Sequence, residues 1–214
     1  MTQQLVDFAL LGAEWVLYLL VGLSVLSVAI MVERGMFFYR RRIDHDALQK
    51  AAVRAVREDT VNALVKTYKD HEAMAARVAL AGVQHRDRGI EAASEAMNSA
   101  KISAKEEYEQ LVVILGTLGN NAPFIGLFGT VLGIIQAFHQ LQNDPTGGIN
   151  AVMGATSEAL AATAVGILVA IPAVVAFNIF NRMMRAHLGQ SDALAHAVLS
   201  AMHSQASSAG KDKG

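Results

Sequence analysis

The 214-residue chain contains no cysteine, only three prolines and one tryptophan, and no lysine or arginine between Gln110 and Asn181. Without cysteine there are no disulfides, no thiolate nucleophile and no cysteine-ligated metal. His45, His71 and His85 are scattered and His139 stands alone, so no metal site is suggested and none is expected. No phosphate-cradling loop or nucleophile–base set is present, which argues against an enzyme and against a bound cofactor. Residues 1–15 carry Asp7 and Glu14 but no base before Arg34, unlike the basic start of a cleavable signal peptide, so this segment is expected to stay attached. There is no Met-Gly start and no terminal cysteine box for a lipid anchor. A net charge of -1 and a pI near 6.7 give no support to a nucleic-acid partner.

The charge that is present is segregated. Of 18 basic and 19 acidic residues, 13 and 12 lie between Arg40 and Glu109. The remainder is long, apolar and nearly bare of charge. Leu111–Asn143 has no charged side chain over 33 residues, well beyond the roughly 20 needed to cross a hydrocarbon core. Its companion, Ala159–Asn181, is also uncharged, and Glu158 stands just before it. A third apolar stretch runs from Trp15 to Val32, with Trp15 and Tyr18 placed as interfacial anchors. Backbone groups in lipid must pair internally, so each stretch is read as a helix.

The fold expected is an all-α polytopic membrane protein with three transmembrane helices and long helices extending into a cytoplasmic helical domain. The divisions are an outer segment at 1–14, spans at 15–39, 110–142 and 151–181, a cytoplasmic domain at 40–109, an outer turn at 143–150, a cytoplasmic helix at 182–203 and a disordered tail at 204–214. Arg34, Arg40, Arg41 and Arg42 follow the first span, and Arg182 and Arg185 follow the third. Basic residues collect on the cytoplasmic side, so the amino terminus lies outside and the carboxyl terminus inside.

Within 43–109 apolar residues recur at helical spacing, as in Leu48, Ala51, Ala52 and Ala55 and again in Val61, Leu64 and Val65. Breaks are expected at 58–60, where Asp59 or Thr60 can cap the next helix, at 70–72, and at a turn over 87–89. From Ile90 one helix is expected to run unbroken into the second span. This region reads as a solvated helical bundle without catalytic role.

The second span is too long for a straight crossing, about 50 Å at 1.5 Å per residue, and Pro123 is where it would kink. Pro123 also removes a donor, so a neighbouring carbonyl must find another partner. Gly126, Gly129 and Gly133 on this span, and Gly166 beside Pro172 on the third, allow close helix approach. The alanine- and glycine-rich third span suits a crowded bundle.

Three side chains in these spans can carry chemistry. Thr130 lies 13 residues from Asn143 and Thr163 lies 13 residues from Asn150, so both hydroxyls fall about 20 Å down their helices and can share a layer. Glu158 is displaced about 140° from Thr163 on its helix. An ionised carboxylate in apolar surroundings must meet water, a cation or a polar network, or be protonated. The competing reading leaves Glu158 among headgroups near the helix start, and each threonine bonded back to its own helix. No cation accompanies Glu158, so the chain supplies one side of a relay and calls for a partner or several copies around an axis.

Two stretches, Asn121–Ile135 (Asn-Ala-Pro-Phe-Ile-Gly-Leu-Phe-Gly-Thr-Val-Leu-Gly-Ile-Ile) and Ser157–Asn178, opening Ser-Glu-Ala-Leu-Ala-Ala-Thr, resemble the two signature motifs of the TolQ, ExbB and MotA proton-channel family, closest to the TolQ/ExbB branch. The resemblance implies an inner-membrane stator: a homopentamer around a dimer of a single-span ExbD- or TolR-like protein, acting with a TonB- or TolA-like energy transducer and translocating H+. It implies that Thr130 and Thr163 line the lumen and that Glu158 is the last-span carboxylate. The work expected is TonB-dependent outer-membrane transport; the alternatives are Tol-Pal envelope maintenance, a gliding-motility motor, or a scaffold that conducts nothing. A solute carrier is disfavoured by three unequal spans with one large insertion.

Overall fold

The computed structural model describes residues 14–143 and 148–211, and every regular element among them is helical. In chain order these are α1 (Glu14–Arg40), α2 (His45–Arg57), α3 (Val61–Tyr68), α4 (Met74–Gln84), a 3-10 turn (Arg86–Arg88), α5 (Ile90–Glu109), α6 (Val112–Asn143) and α7 (Gly148–Lys211). Segments of α1, α6 and α7 are long and apolar enough to cross a membrane. The all-α, three-span expectation therefore holds.

The chain divides into two compact units. One comprises the residues up to Arg34 together with Leu111–Ile179; the other comprises Gly35–Gln110 and the residues from Phe180.

The first unit is built from α1, α6 and α7 segments around Val16, Leu20, Ala122, Leu132, Val169 and Ala170. Much of its apolar surface faces outward: Phe124, Phe138, Leu160 and Leu168 are all about two-thirds exposed, at 67%, 65%, 63% and 70%. Such a surface suits lipid or a neighbouring helix and not water. α6 continues through Pro123 as one helix. The Asn121 side-chain amide donates to the Thr117 carbonyl at 2.8 Å, so a polar side chain does serve the backbone of this turn, two residues before the carbonyl that the proline leaves open.

The second unit packs α2 to α5 with the latter part of α7. Its core includes Leu48, Val56, Met74, Val78, Met97, Tyr108 and Leu194. Asp44 caps α2 by accepting from the Ala47 N–H at 3.0 Å. α3 starts after Thr60, but no side chain caps it. Asp59 instead takes the left-handed corner, φ 59°, and its carboxylate is held by Arg86.

Two expectations are corrected. Ile90 does not begin a helix that runs into the second span: α5 stops at Glu109, Gln110 is extended (ψ 142°), and Leu111 is left-handed at φ 60° before α6 begins. A bulky residue in that region costs about 1–3 kcal/mol, and no glycine or proline marked the site. Conversely, the helix expected over 182–203 is continuous with the third span, and helix extends past Ser204, where a disordered tail was expected. α7 is a single 64-residue helix to Lys211. Buried Val198, Ala201 and Met202 anchor that part of the helix. Of the outer turn expected at 143–150, residues 144–147 lie outside the described residues, as do the amino-terminal 13 residues and the last three, while Asn143 ends α6 and Gly148 begins α7.

Candidate functional site

Small residues bring α6 and α7 together in the first unit. A methyl placed on Gly126 would stand 2.7 Å from the Ala162 carbonyl oxygen and 2.9 Å from the Thr163 Cα. A methyl on Gly166 would stand 2.7 Å from the Ala122 carbonyl oxygen, and one on Gly133 would stand 2.5 Å from the Ala159 Cβ. At Gly129 the obstacles are Ala162 and Val16, at 2.9 and 3.1 Å. Only residues without a β-carbon let the two backbones approach this closely. Pro172 lies within α7 and is exposed.

These contacts set the register of the three candidate side chains. Thr163 is level with Gly126 and the turn holding Glu158 and Ala159 is level with Gly133. Thr130 on α6 lies between those levels. Glu158, Thr130 and Thr163 therefore form a descending series with steps of a few residues each, about 3–6 Å along the helices. The shared threonine layer inferred by counting from the turn becomes an offset of about one helical turn.

Their environments differ. The Thr163 hydroxyl oxygen is buried and has no hydrogen-bond partner among the described residues. Thr130 is half-buried and its hydroxyl donates to the Leu127 carbonyl at 2.6 Å. Glu158 is exposed. It follows Ser157, whose hydroxyl donates to the Met153 carbonyl at 2.8 Å. One chain thus presents an outward carboxylate and an unsatisfied inward hydroxyl, and it does not close a polar network on its own.

The six arginines noted at the span ends do not share one environment. Arg34 is buried and paired with Glu33, with Nη2 donating to Oε1 at 2.6 Å. In the second unit Arg41 donates to Glu72 at 2.9 Å and to Glu107 at 3.5 Å, and its guanidinium lies 3.7 Å from the Phe37 ring centre. Arg77 meets the other oxygen of Glu107 at 2.5 Å. Arg40, Arg42, Arg182 and Arg185 are exposed.

Sequence reading missed an aromatic and imidazole cluster in the second unit. Phe38 stacks on Phe180 with centroids 5.5 Å apart, Tyr108 meets Phe37 and Phe38 edge-on at 5.0 and 5.4 Å, and His187 lies 5.6 Å from Tyr108 and 5.9 Å from His45. The participants are up to 150 residues apart in the chain, so no local pattern announces them. Burial lowers the pKa of His45 against the opposing pull of Asp44 and Asp46. Burial, then the neighbouring His45 and Arg42, lowers that of His187. Burial raises that of Tyr108, whose hydroxyl accepts from the Met74 N–H at 3.4 Å. Among the described residues no cluster of three metal-ligating side chains occurs.

Comparison with known proteins gives a family match over residues 70–193, to the MotA/TolQ/ExbB proton channel family. Biopolymer transport protein ExbB of Pseudomonas putida is 45% identical over 87 residues, covering 40% of this chain and 26% of that protein. ExbB of Neisseria gonorrhoeae is 49% identical over 82 residues, covering 38% of this chain and 37% of that protein. Tol-Pal system protein TolQ of Pseudomonas aeruginosa is 34% identical over 117 residues, covering 55% of this chain and 51% of that protein. The chain thus spans about half or less of the length of each of these relatives. The matched segment contains the α6–α7 seam, Thr130, Glu158 and Thr163, and with it the chain belongs to the MotA/TolQ/ExbB proton channel family, a family of membrane channel proteins and not of enzymes.

Proposed function

We propose that this chain is the proton-conducting stator subunit of an inner-membrane motor, with five copies surrounding a dimer of an ExbD- or TolR-like single-span protein. The spans are 15–39, 110–142 and 151–181, with the amino terminus periplasmic and the region 40–109 cytoplasmic. Protons enter past Glu158, descend through Thr130 and reach the partner's carboxylate beside Thr163. Protonation neutralises that carboxylate, weakens its polar contacts and lets the central dimer shift against the ring. Each charge moved across the membrane is worth about 2.3 kcal/mol per 100 mV, and the work couples to shape only if the two states differ in proton affinity.

The observation that carries this reading is the Thr163 hydroxyl, buried and unpartnered beside Gly126, in a helix that also exposes Glu158. A buried unpaired hydroxyl costs about 1–3 kcal/mol, which a second chain, a water file or a partner side chain removes. The similarity to ExbB proteins supports TonB-dependent outer-membrane transport as the energised process. The longer match to TolQ, 55% of this chain, supports Tol-Pal envelope maintenance as the second reading, with a TolA-like in place of a TonB-like transducer. Native mass measurement of the chain co-expressed with the single-span protein encoded beside it tests the assembly: five copies with two partners is expected, and a stable monomer that retains no partner would overturn it.

A further inference from the structure

Among the described residues, Arg34, Arg41, Arg54, Arg77, Arg86, Lys101 and Lys105 hold acidic partners. Arg40, Arg42, Arg182 and Arg185, all four exposed, hold none among the described residues. They belong to one unit and to one level of it. The Phe38–Phe180 stack, 5.5 Å between centroids, and the Phe38–His187 contact at 6.1 Å bind the end of α1 to α7 where these arginines project. Arg42 also acts electrostatically on His187.

Apolar surface lies beside this charge. Met36 and Tyr39, 53% and 70% exposed, occupy the last turns of α1, and the Arg42 guanidinium lies 5.5 Å from the Tyr39 ring centre. Four cations without an acidic partner among the described residues, at the end of two apolar spans and flanked by an exposed aromatic and a thioether, match a ligand with an anionic head and an apolar tail. A soluble acidic protein would leave Met36 and Tyr39 without an apolar partner.

We propose that Arg40, Arg42, Arg182 and Arg185 form a collar that binds anionic phospholipid head groups, the guanidinium forks engaging phosphate oxygens and Met36 and Tyr39 lying against the first acyl carbons. The collar needs the membrane placement of α1 and α7 but does not depend on proton conduction. It is distinct from orientation by positive charge, because it specifies which lipid stays bound to the finished protein.

The test is native mass measurement of the purified full chain in detergent, titrated with phosphatidylglycerol or with phosphatidylcholine of the same acyl chains. Wild type should retain the glycerol lipid at least tenfold better, and the preference should weaken as salt is raised. Each arginine-to-glutamine change should cost about fivefold, and the quadruple variant R40Q/R42Q/R182Q/R185Q should retain the two lipids equally. The double variant R57Q/R88Q, which neutralises exposed arginines elsewhere in the same unit, should behave as wild type. Arginine-to-lysine changes at the four positions keep the charge but lose the fork, and should leave a preference between that of wild type and that of the quadruple variant even if a glutamine variant folds poorly. Equal retention of both lipids by wild type, or a preference that survives the quadruple change, would overturn the collar. So would an acidic protein that displaces the lipid from it. None of these results bears on conduction, which is measured separately.

Discussion

Gly126 and Thr163 meet backbone to backbone, so closely that a methyl on the glycine would lie 2.9 Å from the threonine Cα and 2.7 Å from the adjoining Ala162 carbonyl oxygen. The contact fixes the height of Thr163 against α6 and leaves its hydroxyl enclosed without a partner. The same glycine that permits the packing thus sets the position of the candidate relay.

Gly126→Ala and Gly166→Ala are therefore expected to destabilise the protein by about 1–3 kcal/mol, since backbone atoms must move to admit the methyl. Gly22→Ala and Gly154→Ala are the controls, because nothing lies within 4 Å of either added carbon; each should be neutral or slightly stabilising in a helix. Thermal unfolding in one detergent, followed by circular dichroism, separates the two pairs.

Thr163→Val replaces a buried hydroxyl that bonds nothing among the described residues with a methyl, so the isolated chain should lose no stability and should gain about 1–3 kcal/mol. Conduction by the assembled complex should fall at least tenfold, and Thr163→Ser should restore it. Paired melting and flux measurements on the three proteins check the separation of folding from function. A large loss of stability in Thr163→Val would mean that the hydroxyl serves the fold.

The His45–His187 pair makes the second unit acid-sensitive. Both folded-state pKa values are held below 6.5 chiefly by burial. Stability is accordingly full above the unfolded-state value and is lost as pH falls below about 6.5, where the unfolded chain binds protons that the folded chain resists. Arg42, just beyond α1, opposes protonation of His187, Asp44 and Asp46 favour that of His45, and the Tyr108 ring of α5 lies against His187. Melting temperature recorded from pH 8 to 5.5 should fall on the acid side, and His187→Gln should flatten that fall.

Glu107 bridges two arginines, whereas Glu72 is an exposed partner of one. Glu107→Ala strips Arg77 of its carboxylate and leaves Arg41, already carrying buried Nε and Nη1 atoms without partners, with an exposed one alone. A cost of about 1–3 kcal/mol is expected, against less than about 1 kcal/mol for Glu72→Ala. Denaturant midpoints of the two variants provide the comparison.

The three spans were legible because a chargeless run such as Leu111–Asn143 has few soluble explanations. The breaks at 58–60 and 70–72 were legible through local polar clusters. The break at Leu111 was not: neither Gln110 nor Leu111 is a breaking residue, and the left-handed turn occurs where the chain passes from one unit to the other. The continuity of α7 was hidden for the opposite reason, since a change from apolar to polar composition near Asn181 imitates a boundary while the backbone simply continues. In the candidate site, residue types were readable from Thr130, Glu158 and Thr163, but their offset heights followed from glycine contacts that no count from the turn supplies. The Phe38–Tyr108–His187 cluster was invisible because its members are adjacent only after folding.

The central claim is that Glu158 passes protons into an assembled pore. Its direct test is proton flux into liposomes containing the chain with the single-span partner proposed above, driven by a potassium diffusion potential and read by an internal pH dye, for wild type and Glu158→Gln matched in assembly by native mass. The account predicts flux in wild type and a reduction of at least tenfold in the variant. Equal flux from the two, with both complexes intact, would contradict it.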